Sequence, residues 1–247
     1  MISWGISANS HDGSLAVFDN NELVFASHTE RFSGLKNDPH LNKPLLDYAR
    51  QWGEPNEVVW YEKPFKKTVR QLYARQGWNW NENNIKSYLK QFEINAPISY
   101  SNHHKSHAAA GYYTSGYSDA TVIVLDSIGE WETVTIWEGK GDKLTKVFAQ
   151  DYPDSVGLWY SAMTQRVGLK PNEDEYILMG MAAYGDVRKH YHHMRETFFE
   201  LGPHDHWTFP EVRFKHNLHR GCKWYLEGYT KWSDKLNIAA ATQSIYE

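Results

Sequence analysis

The stretch MISWGISANSHDGSLAVFDNNELVFASH, residues 1–28, decides the fold because it predicts three consecutive strands. Apolar residues alternate or run together over Ile2–Ala8, Ser14–Asp19 and Glu22–His28, a pattern typical of half-buried strands. The pair Asn20-Asn21 between the second and third strands favours a tight hairpin turn. This part of the sequence therefore predicts an antiparallel meander.

The same pattern returns in TVIVLDSIGEWETVTIWEGKGDKLTKVFAQ, residues 121–150. It predicts three more strands, over Thr121–Asp126, Glu132–Glu138 and Leu144–Gln150. An internal repeat of this kind predicts two related lobes, a first over residues 1–119 and a second beginning at residue 120 and running to 247. Two unrelated meanders in one α/β protein are the alternative.

A small polar loop separates the first two strands of each repeat. Asn9-Ser10-His11-Asp12-Gly13 in the first repeat is suited to offering backbone N–H groups to an anion. Ser127-Ile128-Gly129-Glu130 takes the same place in the second repeat. We therefore expect both loops to face a shared ligand.

Periodicity elsewhere predicts helices and one more strand. The helices are expected over Leu41–Trp52, Lys66–Gln76, Val156–Val167, Tyr176–Ala183 and Lys235–Glu247, and the strand over Val58–Tyr61. The alternation of helices and strands predicts an α/β fold. The last helix has no closing signal before the sequence stops, so we expect a truncated second lobe.

A candidate metal site lies in Asn102-His103-His104-Lys105-Ser106-His107. On a helix, His103 and His107 project from one face a turn apart, a spacing that lets two imidazoles bind one metal ion. The apolar run 122–125 then ends in Asp126, and the carboxyl end of a strand is a usual place for ligand chemistry. These three residues form a candidate open site, although such a histidine pair also occurs by chance on surfaces, and the turn after Asp126 could instead receive a phosphate.

Composition excludes several classes of protein. The net charge of −4 over 247 residues gives no basic footprint for nucleic acid, so nucleic-acid binding is not expected. The sequence has neither a run of about 18 apolar residues nor a basic leader followed by an apolar stretch, so we expect no membrane span and no signal peptide. The single Cys222 fits a reducing compartment. Together these features predict a cytoplasmic protein.

Seven ordered motifs resemble the N-terminal domain of the O-carbamoyltransferases of the nodulation-factor, cephamycin and tobramycin type. They are Gly5-Ile6-Ser7-Ala8 with His11-Asp12, Glu30-Arg31-Phe32-Ser33, Tyr61-Glu62-Lys63-Pro64, His103 to Ala109, Asp126 to Trp131, Gly157 to Ala162, and Glu175 to Gly185. The Asn-His-x-x-x-His element is also similar to that of the enzymes that install threonylcarbamoyladenosine on tRNA. The resemblance implies the actin-like, sugar-kinase and Hsp70 ATPase fold, which is ribonuclease H-like.

The resemblance also implies a reaction and a set of site residues. His103, His107 and Asp126 are expected to ligate a divalent metal, iron in the first place, with zinc or manganese as alternatives. The expected substrate is carbamoyl-adenylate, made from carbamoyl phosphate and ATP, and the expected acceptor is a hydroxyl-bearing small molecule, usually a sugar. The remaining expected contacts are His11 and Asp12 near the transferring group, Lys36 at the acyl phosphate, and Ser127, Gly129 and Glu130 at the nucleotide.

The sequence departs from the family in two ways. Ala183 stands where the family has a proline, and the family continues past this end with a fourth, acidic metal ligand, much of the adenosine pocket and a further domain. Three alternatives therefore stay open. They are a split enzyme completed by a separate C-terminal chain, a non-catalytic fragment that binds a metal or nucleotide, and a tRNA-modifying relative, which the acidic balance disfavours. The histidines from His190 to His219 fit no standard ligand spacing, so we expect a solvated, partly aromatic surface there.

Overall fold

The computed structural model describes residues 1–10, 12–201, 207–208 and 229–247. These residues form two compact units, Met1–Ala110 and Gly111–Glu247. The unit boundary lies inside a helix, before the lobe boundary predicted near residue 119. No helix in the described part of the chain is long and apolar enough to cross a membrane.

Unit 1 is built on a mixed five-stranded sheet. Its strands are β1 (Ile2–Ser7), β2 (Ser14–Asp19), β3 (Glu22–His28), β4 (Glu57–Trp60) and β5 (Ile98–Tyr100). They lie in the order β3-β2-β1-β4-β5, with antiparallel pairing from β1 to β3 and parallel pairing of β1 with β4 and of β4 with β5. Asn20 and Asn21 adopt the left-handed φ values of 48° and 72° that a tight hairpin requires. The predicted meander is confirmed.

Five α-helices begin among the described residues of unit 1. They are α1 (Glu30–Ser33), α2 (Lys43–Ala49), α3 (Pro64–Tyr73), α4 (Ile85–Lys90) and α5 (His103–Ser115), and the 3-10 turn Arg50–Trp52 follows α2. Asn42 caps α2 by accepting the Leu45 N–H at 2.9 Å. Helix α3 begins earlier than predicted because a proline suits the first helical turn. Trp4, Trp60 and Leu45 lie at the centre of the core, where each is fully buried.

Unit 2 begins with a second antiparallel meander. It consists of β6 (Asp119–Leu125), β7 (Glu132–Lys140) and β8 (Lys143–Asp151), in that order. Helices α6 (Val156–Arg166), α7 (Glu175–Ala182), α8 (Tyr191–Phe198) and α9 (Trp232–Tyr246) follow, with a 3-10 turn at Val187–Lys189 and a two-stranded sheet of β9 (Glu200–Leu201) and β10 (Trp207–Thr208). Trp159, Met163 and Ile238 are fully buried in a core formed by these helices.

The packing in unit 2 fixes the end of α5 against the sheet. A Cβ atom on Gly139 of β7 would overlap the ring of Tyr112, so this position has no room for a side chain. The Tyr112 hydroxyl lies 2.9 Å from the carbonyl oxygen of Ser118 and 3.0 Å from that of Gly141. The Tyr112 ring therefore packs directly on the backbone of Gly139, and the carbonyl oxygens of Ser118 and Gly141 accept from its hydroxyl.

Each of the two units contains one of the two predicted meanders. Each starts with three antiparallel strands whose first and second members are joined by a polar loop. In unit 1 this meander continues into parallel strands, which gives the mixed α/β arrangement that the sequence predicts.

Candidate metal centre

The carboxyl ends of β1, β4 and β5 meet at one edge of the unit 1 sheet because these three strands are parallel. Strand β1 leads into loop 9–13, β4 into residues 61–63, and β5 into residues 101–102 before α5. In open α/β sheets, ligands bind beyond this edge. Unit 1 thus places three of the family-like motifs side by side.

The first turn of α5 is held against the end of β4. The Ser106 hydroxyl donates to the Tyr61 carbonyl oxygen at 2.9 Å, and His104 in the same turn is fully buried. The Tyr61 ring meets His103 edge-on, with ring centroids 5.4 Å apart. The imidazole of His103 is therefore positioned by the sheet as well as by its own helix.

The structure brings His103 and His107 together as their spacing predicts. Their Nε2 atoms lie 3.1 Å apart. Two imidazoles bound to one ion at about 2.1 Å, with about 90–110° between the bonds, have nitrogen atoms about 3.0–3.4 Å apart. The pair therefore fits a metal ion without rearrangement. His103 is partly buried and His107 is exposed, so one side of the pair stays open to ligands.

Glu62 lies behind His103 and was not singled out by sequence reasoning. Its Oε2 is 3.7 Å from Nδ1 of His103, and its Oε1 accepts from the Lys67 ammonium at 2.6 Å. Burial alone would raise the pKa of Glu62, but the interactions with His103 and Lys67 outweigh it and hold the pKa below its usual value. Glu62 thus lies on the Nδ1 side of His103, the arrangement that in metal sites leaves the Nε2 lone pair to the ion.

A local signal could have identified Glu62. The apolar strand 58–60 is followed after one residue by a carboxylate, which is nearly the arrangement that singled out Asp126. The sequence does not show that Glu62 faces His103, because β5 and α5 bring these two residues together only in the folded sheet.

Asp126 follows β6 in unit 2, and its backbone and carboxylate are both fixed. Its N–H donates to the Thr133 carbonyl oxygen at 3.0 Å, and its Oδ1 accepts the Ser127 N–H at 2.7 Å. A Cβ atom on Gly157 would lie 2.8 Å from the Asp126 carbonyl oxygen and from the backbone of Ser127. Close packing of α6 therefore sets the turn from which this carboxylate extends.

The loop 127–130 uses its own amides internally. Gly129 N–H donates to the Glu132 carbonyl oxygen at 2.9 Å, and Ser127 N–H is taken by Asp126. The Ser155 hydroxyl donates to the Ser127 carbonyl oxygen at 2.6 Å, and Glu130 is buried. Nucleotide contacts by Ser127, Gly129 and Glu130 stay a prediction, and they would have to use groups other than the first two amides.

The first loop also turns its end amides inward. Asn9 N–H donates to the Pro39 carbonyl oxygen at 2.8 Å, and Gly13 N–H donates to that of Asp38 at 2.7 Å. Asn9 has a left-handed φ of 62°, and Asp12 has one of 51°. These two end amides do not supply the anion contacts expected of the loop.

Of the expected transfer residues, the structure describes Asp12 and Lys36. Asp12 is half-buried, His11 lies outside the described residues, and Lys36 is exposed in a turn between left-handed Gly34 and Asn37. The roles of His11, Asp12 and Lys36 stay predictions.

The histidine-rich segment of unit 2 differs from its prediction at one position. His190 is buried, and its ring meets that of Tyr229 edge-on at 5.1 Å. Burial lowers the pKa of His190. The expectation of a solvated surface is therefore wrong for this residue, while His192 and His193 are exposed. The histidines from His204 to His219 lie outside the described residues.

Comparison with known proteins identifies a family. The family model named Carbamoyltransferase N-terminus matches residues 47–244. An uncharacterized protein of Synechocystis is 32% identical over 74% of this chain and 35% of its own length. Nodulation protein NolNO of Sinorhizobium fredii is 24% identical over 77% of this chain and 30% of its own length.

Among solved structures, the Aquifex aeolicus member of the Ppx/GppA family aligns with all of this chain and 89% of that chain. It does so at 11% identity and a TM-score of 0.36. The chain spans about a third of the length of the curated relatives it matches. Since the family model covers most of the sequence, this chain belongs to the carbamoyltransferase N-terminus family.

Proposed function

We propose that the protein containing this chain transfers a carbamoyl group from carbamoyl-adenylate to an acceptor hydroxyl, and that His103, His107 and Asp126 ligate a divalent metal ion for this reaction. The observation that carries the proposal is the convergence of the two Nε2 atoms at 3.1 Å with Glu62 placed at Nδ1 of His103. Family membership supports carbamoyl transfer as the reaction class. Because the chain spans about a third of its relatives, the activity is proposed for the whole protein.

The donor set favours iron. Two imidazoles and one carboxylate form the ligand set that non-haem Fe(II) takes with positions left open, and zinc or manganese is the alternative. When bound, the metal would polarise the carbamoyl carbonyl and fix its orientation. Glu62 would hold the proton of His103 at Nδ1, and Lys67 would keep Glu62 ionised.

The proposed transfer is a substitution at the carbamoyl carbon. The acceptor oxygen bonds to the carbamoyl carbon, the bond from that carbon to the AMP oxygen breaks, and AMP leaves. The hydroxyl proton passes to a base, for which we propose His11, with Asp12 beside the transferring group. Lys36 would lie near the phosphate of the departing group and balance its charge. Ser127, Gly129 and Glu130 would contact the nucleotide.

Metal analysis of the purified chain tests the metal site. We expect about one iron per chain after anaerobic loading with Fe(II), and parallel loading with zinc and manganese tests the choice of metal. His103→Ala and His107→Ala should abolish binding, and Asp126→Asn should weaken it. Glu62→Gln should weaken it about 10–100-fold, the usual effect of losing such an outer carboxylate. Equal metal content in all these proteins would overturn the proposal.

His28→Ala is the matched control because His28 is an exposed imidazole on β3 of the same unit. It should bind as much metal as the unmodified chain. Transfer activity is then assayed on the whole protein. Carbamoyl-adenylate is supplied directly, and the release of AMP that depends on the acceptor hydroxyl is measured.

A further inference from the structure

Helix α3 carries its apolar residues on the side that faces away from the core of unit 1. With 3.6 residues per turn, positions 65, 69, 72 and 73 fall within about 100° of its circumference, the width of an ordinary core-facing stripe. In α3 these side chains are exposed, and the residues that the helix buries are the polar Lys67, Thr68 and Arg70. The helix is therefore amphipathic, with its apolar side turned outward.

Interactions on the polar side fix this orientation. The Lys67 ammonium donates to the buried Glu62 carboxylate at 2.6 Å. The Thr68 hydroxyl, which is fully buried, accepts from Nδ2 of Asn83 at 2.8 Å. A turn of α3 about its axis would bury the apolar side only by leaving these buried polar groups without partners, and that is costly. The outward apolar side is therefore a fixed feature of unit 1.

Aromatic side chains of the following loop extend the apolar side of α3. The Trp80 ring meets that of Phe65 edge-on, with centroids 6.2 Å apart. Trp78 stands two residues earlier in the same loop. We call the outward set the α3 face; its members are between 37% and 61% exposed, and they are Phe65, Val69, Leu72, Tyr73, Trp78 and Trp80. Single exposed apolar residues are ordinary, but a neighbouring set that is rich in aromatic rings marks an interaction surface.

The surroundings of the α3 face are positively charged. Residues 63–81 contain five basic side chains and no acidic one, although the whole chain has a net charge of −4. Lys66 and Arg75 are exposed. Lys66 lies about 20° from Tyr73 around the helix axis, at the edge of the apolar stripe. The α3 face therefore fits a partner that is both apolar and negatively charged.

An anionic lipid bilayer has both properties. Helices that lie in a membrane interface expose aromatic residues and leucine on one side, with lysine and arginine beside them. Each tryptophan and tyrosine of the α3 face combines an apolar ring with one polar group, which suits the headgroup level. Long basic side chains reach toward lipid phosphates from the edge of such a face. A second copy of this chain fits less well, because the same basic residues would face one another.

We propose that the α3 face binds the surface of an anionic membrane. The apolar side chains enter the boundary between headgroups and acyl chains, and Lys66 and Arg75 lie near the lipid phosphates. The contact is one with the membrane surface and involves no span. It is independent of the proposed transfer function, since none of the six residues of the α3 face belongs to the candidate metal centre.

Co-sedimentation with vesicles tests the proposal on the whole protein that contains this chain. Vesicles of phosphatidylcholine alone are compared with vesicles that also contain phosphatidylglycerol. We expect binding to the mixed vesicles, and this binding should weaken as the salt concentration rises. Phe65→Ser and Trp78→Ser should each weaken it about tenfold, because each removes a large apolar side chain from the contact. Lys66→Gln should weaken it about fivefold, the usual contribution of one basic residue near such a surface.

Two exposed residues of unit 2 provide matched controls. Trp232→Ser removes a tryptophan that is 63% exposed, close to the 57% of Trp78. Lys143→Gln removes an exposed lysine of β8. Both variants should bind vesicles like the unmodified protein. Hydrogen exchange with and without mixed vesicles locates the contact, and we expect added protection in residues 65–80.

The proposal is overturned if the whole protein stays in solution with mixed vesicles, if it binds neutral vesicles equally well, or if the three variants of the α3 face bind like the controls. Vesicle binding by the 247-residue chain but not by the whole protein would also overturn it, by showing that the rest of the protein covers the face. A dimer in lipid-free solution that Phe65→Ser dissociates would assign the face to a second copy instead. Phe65→Ser should load metal like the unmodified chain, so failure of membrane binding leaves the proposed function intact.

Discussion

The two sheets begin alike and then differ. In unit 1, β1 lies inside the sheet with β2 on one side and parallel β4 on the other, whereas in unit 2 β6 pairs with β7 alone among the described residues. The difference is visible in burial. Ile6 of β1 is 2% exposed, while Ile123 and Leu125 of β6 are 62% and 57% exposed.

The parallel strands supply most of the chemistry of unit 1. Glu62 follows β4 and His103 follows β5. The two parallel strands therefore place the candidate ligand His103 and the carboxylate behind it at the carboxyl edge of the sheet. In unit 2 the described counterpart is Asp126, which follows the first strand directly. The comparison indicates that the meander is a common frame and that the parallel strands add function to it.

The largest expected effect comes from Lys67→Ala in unit 1. It leaves the Glu62 carboxylate buried and without its ammonium partner, and such a loss costs about 3–5 kcal/mol of unfolding free energy. In unit 2, Lys146→Ala breaks the more exposed pair with Glu132 and should cost about 0–1 kcal/mol. Urea unfolding combined with hydrogen exchange of β1 and β6 peptides measures both. Equal losses would contradict the burial contrast, and Lys67→Ala combined with Glu62→Ala should recover part of the stability.

The burial contrast between β1 and β6 gives the next effect. Ile6→Ala should destabilise unit 1 by about 2–5 kcal/mol because it opens a cavity in the core. Ile123→Ala should change unit 2 by less than about 0.5 kcal/mol because the side chain already faces solvent. Denaturant midpoints with exchange rates of the two strands check this. A large loss for Ile123→Ala would mean that the β6 face is covered in solution.

The smallest expected effect is the difference in stability between alanine substitutions at two helical glycines of unit 2. Gly157→Ala places a Cβ atom against the backbone of residues 126–127 and should cost about 1–3 kcal/mol. Gly180→Ala in α7 has open space and should stabilise by about 0.5–1 kcal/mol. Thermal unfolding measures the pair. If Asp126 is a metal ligand, only Gly157→Ala should also weaken metal binding, and a stable, fully metal-binding Gly157→Ala would refute the tight turn.

The local parts of the fold were predictable, and the reason is periodicity. Both meanders, the asparagine hairpin turn and the approach of His103 to His107 depend on residues a few positions apart. Strand β5 was missed because three residues after a proline carry little pattern and become a strand only by pairing with β4. Helix α4, six residues long, was missed for the same reason.

The chemistry that depends on distant residues was not predictable. The pairing of Glu62 with His103 joins residues brought together by two parallel strands, and the inward amides of Asn9 and Gly13 depend on carbonyls of residues 38–39. A polar cavity in unit 1 is lined by Asn9 of the first loop, by Gln71 of α3 and by Gln91 beside α4. The sequence shows amides there but not that they share one wall.

The seating of Tyr112 on Gly139 has a consequence for natural variation in the family. Any side chain at position 139 would occupy the space of the ring, so the two positions should change together during evolution. Relatives with a larger residue at 139 should have a smaller one at 112, and they should also lose the hydroxyl that joins the strand ends at Ser118 and Gly141. The residues at positions 112 and 139 therefore give a simple criterion for sorting homologous sequences by how α5 packs on β7.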